Sequence, residues 1–355
     1  MTFVVMALVA VSPWQSLDAG ARAEQLEQLK RLPLDARVVA TSEGFLGTPY
    51  VLSPLGEGAG HDPDPLLRYD AADCLTMIEE SMALALAPDE ARVLETLSHI
   101  RYQGQGSPSF DGRLHVMEAQ WLPVNVERGL LEDVTKRYGK DVVRRVSKRI
   151  TEQTWQEKAG RALGVSEQAQ VTGEFFLDII PSDRAPAVLA VAPEGLVVVV
   201  VRADRPRLVT RITHVALLIQ KPSGPYLRHA SRSFKKVVDE PVERYLKRNL
   251  EFGAWTVEGV ALFQVKQPAW LAAGVALDAR GVDAGSVDAG SVDAGSVDAG
   301  SSDAAADAGV VDAGAPEVRG DTETITAELE GGCGWYPLPV GLLIVLAVWL
   351  ARRRR

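Results

Sequence analysis

The pattern of apolar and polar positions is most regular between Arg68 and Leu86. Leu75, Ile78 and Met82 recur at helical spacing, and Glu79 and Glu80 fall on the other side, which predicts an amphipathic helix after residue 73. Ala83, Ala85 and Ala87 favour that helix and Pro88 closes it. Asp73 is a natural N-cap, which puts Cys74 in the first turn. Upstream, Leu26, Leu29 and Leu32 share one face of a short helix over 24–32, and residues 44–58 form a Gly/Pro-punctuated loop around Tyr50. A second helix is expected over 89–99, then a loop, then a charged stretch, 130–164, that is partly helical. After Gly173 the pattern changes to strands, expected over 195–202, 211–220, 226–231 and 259–265. Residues 221–224 make a turn that turns the second and third of these into a hairpin, and a helix is expected over 241–250. Helices first and strands later predict an α+β fold.

The two ends read differently from this middle. Residues 3–11 are apolar, and Ala21-Arg22-Ala23 follows as an A-x-A-like cleavage site, so 1–23 reads as a signal peptide without a basic leader; the other reading is a short buried helix. The repeat Val-Asp-Ala-Gly-Ser runs over 282–301. It is too polar and too Gly-rich to bury a core, which makes 281–330 an acidic linker with a reach of about 40 Å. Residues 331–355 combine Gly-Cys333-Gly, an apolar run from Trp335 to Ala351 and four arginines. That run is at the lower limit for crossing a bilayer, with the arginines on the cytoplasmic side. The folded domain is then 24–280, exported and anchored to or displayed at the cell envelope.

Charge sharpens this division. The chain carries a net charge of −9 over 355 residues, yet 281–330 alone holds eight Asp, four Glu and one Arg. The folded part is therefore close to neutral, and nothing in it points to nucleic-acid binding. Two cysteines, one in the domain and one in the tail, make no disulfide framework, and pairing between them is not expected.

The candidate chemistry starts from Cys74. At a helix N-terminus the unpaired N–H groups and the dipole favour thiolate over thiol, as a cysteine nucleophile requires. Taken alone, Cys74 also reads as a small buried thiol that only packs. A nucleophile needs a base and a group that orients it. His214 lies in an otherwise apolar strand, and His229 lies 15 residues on, in the other arm of the hairpin. Cys74 as nucleophile, His214 as base and His229 as orienter form one constellation; a satisfied core histidine is the other reading of residue 214. One Cys and two His lack the close spacing of zinc ligands, so no metal is expected, and no cofactor motif is present.

Gly-Thr-Pro-Tyr50, Asp73-Cys74-Leu-Thr76, Ile-Arg-Tyr-Gln-Gly-Gln-Gly over 100–106, Arg113-Leu-His115, Thr-His214-Val and Arg-His229-Ala-Ser together resemble the N-acetylmuramoyl-L-alanine amidase-like family, within the NlpC-type, papain-like superfamily of cell-wall hydrolases. The resemblance spans 24–265 in order. It implies a papain-like fold with the nucleophile helix packed on a small antiparallel sheet, and hydrolysis of the N-acetylmuramoyl-L-alanine amide in peptidoglycan or muropeptides through a thioester. It implies that Tyr50 lines the site, that Asp73 either binds a substrate amine or caps the helix, and that Arg113, His115, Glu118 and Trp121 line the cleft. Tyr50 as a core aromatic, and Arg113 to Trp121 as surface charge with a core Trp, are the alternatives. Val116 stands where an aromatic is expected, and Ala216-Leu217 where the superfamily often has Gly. A stem-peptide endopeptidase, an acyltransferase and a non-catalytic wall-binding module are the competing functions. The tail resembles myxobacterial-type C-terminal sorting tails, which implies a sorting protease as partner and Cys333 as a processing or lipidation site.

Overall fold

The computed structural model of the protein describes residues 10–104, 108–250 and 256–272. Helix α3 (Cys74–Leu86) forms as the sequence predicts, and its start is fixed by a capping box. The Asp73 carboxylate accepts from the backbone N–H of Leu75 at 3.0 Å and of Thr76 at 2.8 Å, and the Thr76 hydroxyl accepts from the Asp73 N–H at 2.9 Å. The expected amphipathic division does not hold: every residue of α3 is buried, Glu79 and Glu80 included. The helix is enclosed all round, by α2 (Leu34–Glu43) and α4 (Val93–Arg101) as well as by the sheet, and its carboxylates are buried with it.

Strands β1 (Leu131–Asp133), β2 (Arg144–Ile150), β3 (Gly173–Pro181), β4 (Leu196–Arg202), β5 (Ile212–Lys221), β6 (Gly224–Ser231), β7 (Lys236–Pro241) and β8 (Val257–Val265) form one antiparallel sheet. The order is β2-β3-β8-β4-β5-β6-β7, with β1 on β8. The sheet is therefore larger than expected. Part of the surplus is β2, where Arg and Lys mask the alternation, so that the stretch looks charged and partly helical in sequence. Val146, Lys148 and Ile150 turn inward on one face there, while Arg145 and Arg149 stay exposed.

β4 is buried on both faces, so the fold has two cores. One unites α1 (Ala19–Leu29), α2, α3 and α4 with Val197, Val199, Val215, Leu217, Ala230 and Val237; Cys74 belongs to it. The other joins Val198, Val200, Ala216, Leu218 and Leu227 to Val242, Tyr245 and Leu246 of the Val242–Leu250 helix. Residues alternating along a strand thus enter different cores.

Residues ahead of 24 also pack on the domain. Trp14 is fully buried, and its indole N–H donates to the Thr41 carbonyl at 2.7 Å. Gly44 makes room for that ring: a Cβ there would lie 2.4 Å from the indole nitrogen. Asp18 caps α1, so a cut after Ala23 would fall inside this helix. Residues 1–9 lie outside the described residues, as do the 281–330 linker and the 331–355 tail with Cys333. Among the described residues no helix is long and apolar enough to cross a membrane.

Candidate active site

Helix α3 packs against β5 and β6, the strands that carry the two histidines. Cys74 is 1% exposed at its first position and is disulfide-bonded. That corrects the expectation that it is unpaired.

The hairpin brings the imidazoles together. His214 Nε2 lies 2.7 Å from His229 Nδ1, with the rings edge-on. His229 Nε2 lies 3.2 Å from Oε2 of Glu240 on β7. Arg248, in the last turn of the Val242–Leu250 helix, donates to both Glu240 oxygens, at 2.8 and 3.3 Å. Tyr245 stacks on His214 and meets His229 edge-on, with ring centroids 5.5 Å from each. His229 and Glu240 are buried and His214 is half-buried.

Register explains the alignment. His229 is paired with Val238, and Glu240 sits two residues on, on the same face. By alternation His214 shares the face of Ala216 and Leu218, so the two imidazoles and Glu240 lie on the Tyr245 side of the sheet, whereas α3 packs on the other. The β5–β6 ladder runs only from Leu217↔Arg228 to Lys221↔Gly224. At the level of the histidines, residues 214–216 and 229–231 have left this pairing.

Electrostatics favours a neutral His214 ring. His214 is held well below the usual imidazole range, first by burial, then by His229 and Arg248. Burial pushes the Glu240 carboxyl up, but the hydrogen bonds from His229 and Arg248 outweigh it and leave it below its ordinary value.

The other candidates divide. Tyr50 lies beside the start of α3: its N–H donates to the Lys235 carbonyl at 2.9 Å, and burial and then Asp73 raise its hydroxyl pKa. Both Asp73 oxygens are taken by backbone N–H groups, one of them that of Ser53 at 3.0 Å, so Asp73 serves as the cap. Arg113 is buried in an ion-pair cluster with Glu57 and Asp62. His115 Nε2 lies 2.6 Å from the Phe110 carbonyl, and burial brings its pKa down to about 4. Glu118 and Trp121 are interior rather than cleft-lining. Glu118 accepts from the Thr210 hydroxyl at 2.6 Å and the Arg211 N–H at 2.7 Å, which fixes the entry to β5, and the Trp121 indole N–H donates to Glu79 at 2.9 Å. Glu240, Arg248 and Tyr245 join the site only through the fold. Asp239-Glu240-Pro241 reads as the run-up to a helix; only a third strand pairing with 226–231 would have placed Glu240 beside His229.

The AmiA-like, N-acetylmuramoyl-L-alanine amidase-like family matches residues 40–253, more than half of the chain. The chain belongs to this family. Among solved structures this amidase-like chain is similar to the Legionella pneumophila protein LPG0564, with a TM-score of 0.62 and 23% identity over 70% of this chain and 95% of that one. An N-acetylmuramoyl-L-alanine amidase from Bacteroides uniformis superposes with a TM-score of 0.55 and 24% identity over 66% and 99%. At such identities the likeness is one of fold. No curated protein sequence matches.

Proposed function

We propose that this amidase-like chain is a peptidoglycan hydrolase that cleaves the N-acetylmuramoyl-L-alanine amide through a Cys74 thioester, on a papain-like, NlpC-type arrangement. The observation that carries the reading is the His214–His229 pair on the two strands against which the Cys74 helix packs. The β5–β6 ladder stops at Leu217↔Arg228, short of both histidines, and in this reading the sulfur reaches His214 through that interval.

In this reading an external thiol, itself oxidised to its disulfide, first reduces the Cys74 disulfide by exchange. His214 Nδ1 takes the thiol proton, and the thiolate attacks the lactyl carbonyl carbon. The Cys74 backbone N–H, at the head of α3, stabilises the oxyanion. The C–N bond breaks as the imidazolium returns its proton to the departing amine of L-alanine. Water, deprotonated by His214, then hydrolyses the thioester, releasing the lactyl carboxylate and the thiol. Tyr50 lines the substrate path, and the substrate places the protein at the cell envelope, with the 331–355 tail as anchor or sorting signal and Cys333 as its processing site.

The test is mass spectrometry of purified muropeptides after digestion under reducing conditions, with Cys74→Ala as control. A free lactyl carboxylate and an intact stem peptide are expected from the wild type and neither from the variant. A shortened stem indicates an endopeptidase, and equal wall lysis by both proteins refutes the cysteine mechanism.

A further inference from the structure

The chain of contacts does not stop at His229, and its last member decides where the protons sit. Glu240 is buried, and Arg248 engages both of its oxygens, which keeps it a carboxylate that only accepts hydrogen bonds. The atom facing it, His229 Nε2 at 3.2 Å, must then carry a proton. A neutral His229 is left with Nδ1 as an acceptor, so the atom facing that, His214 Nε2 at 2.7 Å, must be the donor. A neutral His214 with its proton on Nε2 offers a lone pair at Nδ1. Tyr245, stacked on one ring and edge-on to the other, blocks the ring flips that would exchange the nitrogens.

We propose that Glu240, clamped by Arg248, is the positioning residue that fixes the tautomers of both histidines and so makes Nδ1 of His214 the base. The catalytic consequence rests on the hydrolase reading above; the proton placement does not. The inward side chain of β7 thus acts through two imidazoles on a reaction it never touches.

The near-isosteric Glu240→Met, which keeps the shape and removes the acceptor, separates this from a structural role. Oε2 is the atom that both Arg248 and His229 face, so an amide oxygen in its place still accepts from both, whereas a thioether leaves His229 Nε2 with no reason to carry its proton. Nitrogen NMR of histidine-labelled protein reads this directly. Wild type is expected to show Nε2–H at both residues, Glu240→Gln to keep that pattern, and Glu240→Met to switch part of both residues to Nδ1–H. On muropeptides kcat is expected to fall about 10-fold in Glu240→Met at unchanged KM, and to stay close to wild type in Glu240→Gln. Unchanged tautomers in folded Glu240→Met, or a doubly protonated His229 in the wild type, overturn the inference. Tautomers that switch as described in a protein that cleaves no muropeptide overturn the hydrolase reading instead.

Discussion

The two faces of the sheet bury carboxylates in different ways. On the α3 side Glu79 is closed off on every flank: Arg101 pairs with it, and the Trp121 indole donates to it. Its neighbour Glu80 receives only the Arg68 N–H at 3.4 Å, and burial above all pushes its pKa well up. On the other side Glu240 is equally buried, but one of its donors is an imidazole linked to a second imidazole. The first set of charges holds a helix in place. The second transmits a proton preference to a half-buried ring. Burial is common to both, so the difference lies in what the partner can do: a guanidinium keeps its charge throughout, whereas an imidazole has two nitrogens and can be told which one to use.

The contrast can be broken by substitution. The largest expected effect is on the histidine side: Cys74→Ala abolishes turnover of reduced enzyme, and His214→Ala lowers kcat by about 10³-fold, with the urea midpoint within error of wild type. On the α3 side Arg101→Ala leaves Glu79 buried without its cation. It should cost roughly 3–5 kcal/mol in urea unfolding, with kcat per folded molecule nearly unchanged. A pH series sharpens the same division. His115 is held at about 4 in the folded state, while the unfolded chain titrates near 6.5, so unfolding takes up a proton between these values. Stability therefore falls as pH drops from about 6.5 to 4, by roughly 3 kcal/mol from this residue, and His115→Gln should flatten that slope. The smallest effect is at Glu80, whose raised pKa disfavours the charge: Glu80→Gln should stay within about 1 kcal/mol of wild type and leave the kcat profile unaltered.

Much of the scaffold could be read from periodicity. Cys74–Leu86, the hairpin at 221–224 and the Val242–Leu250 helix fall where spacing and turn chemistry put them. Local patterns failed where burial came from distant segments. Glu79 and Glu80 look like a solvated stripe until Arg101 and the sheet close over them, and the strand 144–150 hides behind its arginines. For the site, residue type and strand pairing brought His214 and His229 together. Glu240 was out of reach because its meaning depends on the register of β7, and Glu118 and Trp121 turned out to face inward because a π-helical turn, Met117–Trp121, sets their direction.

The central claim is that Cys74, from one face of the sheet, pairs with an imidazole on the other through the interval where β5 and β6 no longer pair with each other. The most direct measurement is the pH dependence of alkylation of reduced Cys74 by iodoacetamide, in a Cys333→Ser background, with and without His214→Ala. The pairing predicts an inflection well below the ordinary thiol value of about 8.5 in the parent and a return towards that value in the variant. Coincident profiles would contradict it and leave Cys74 as a buried thiol at the head of a packed helix.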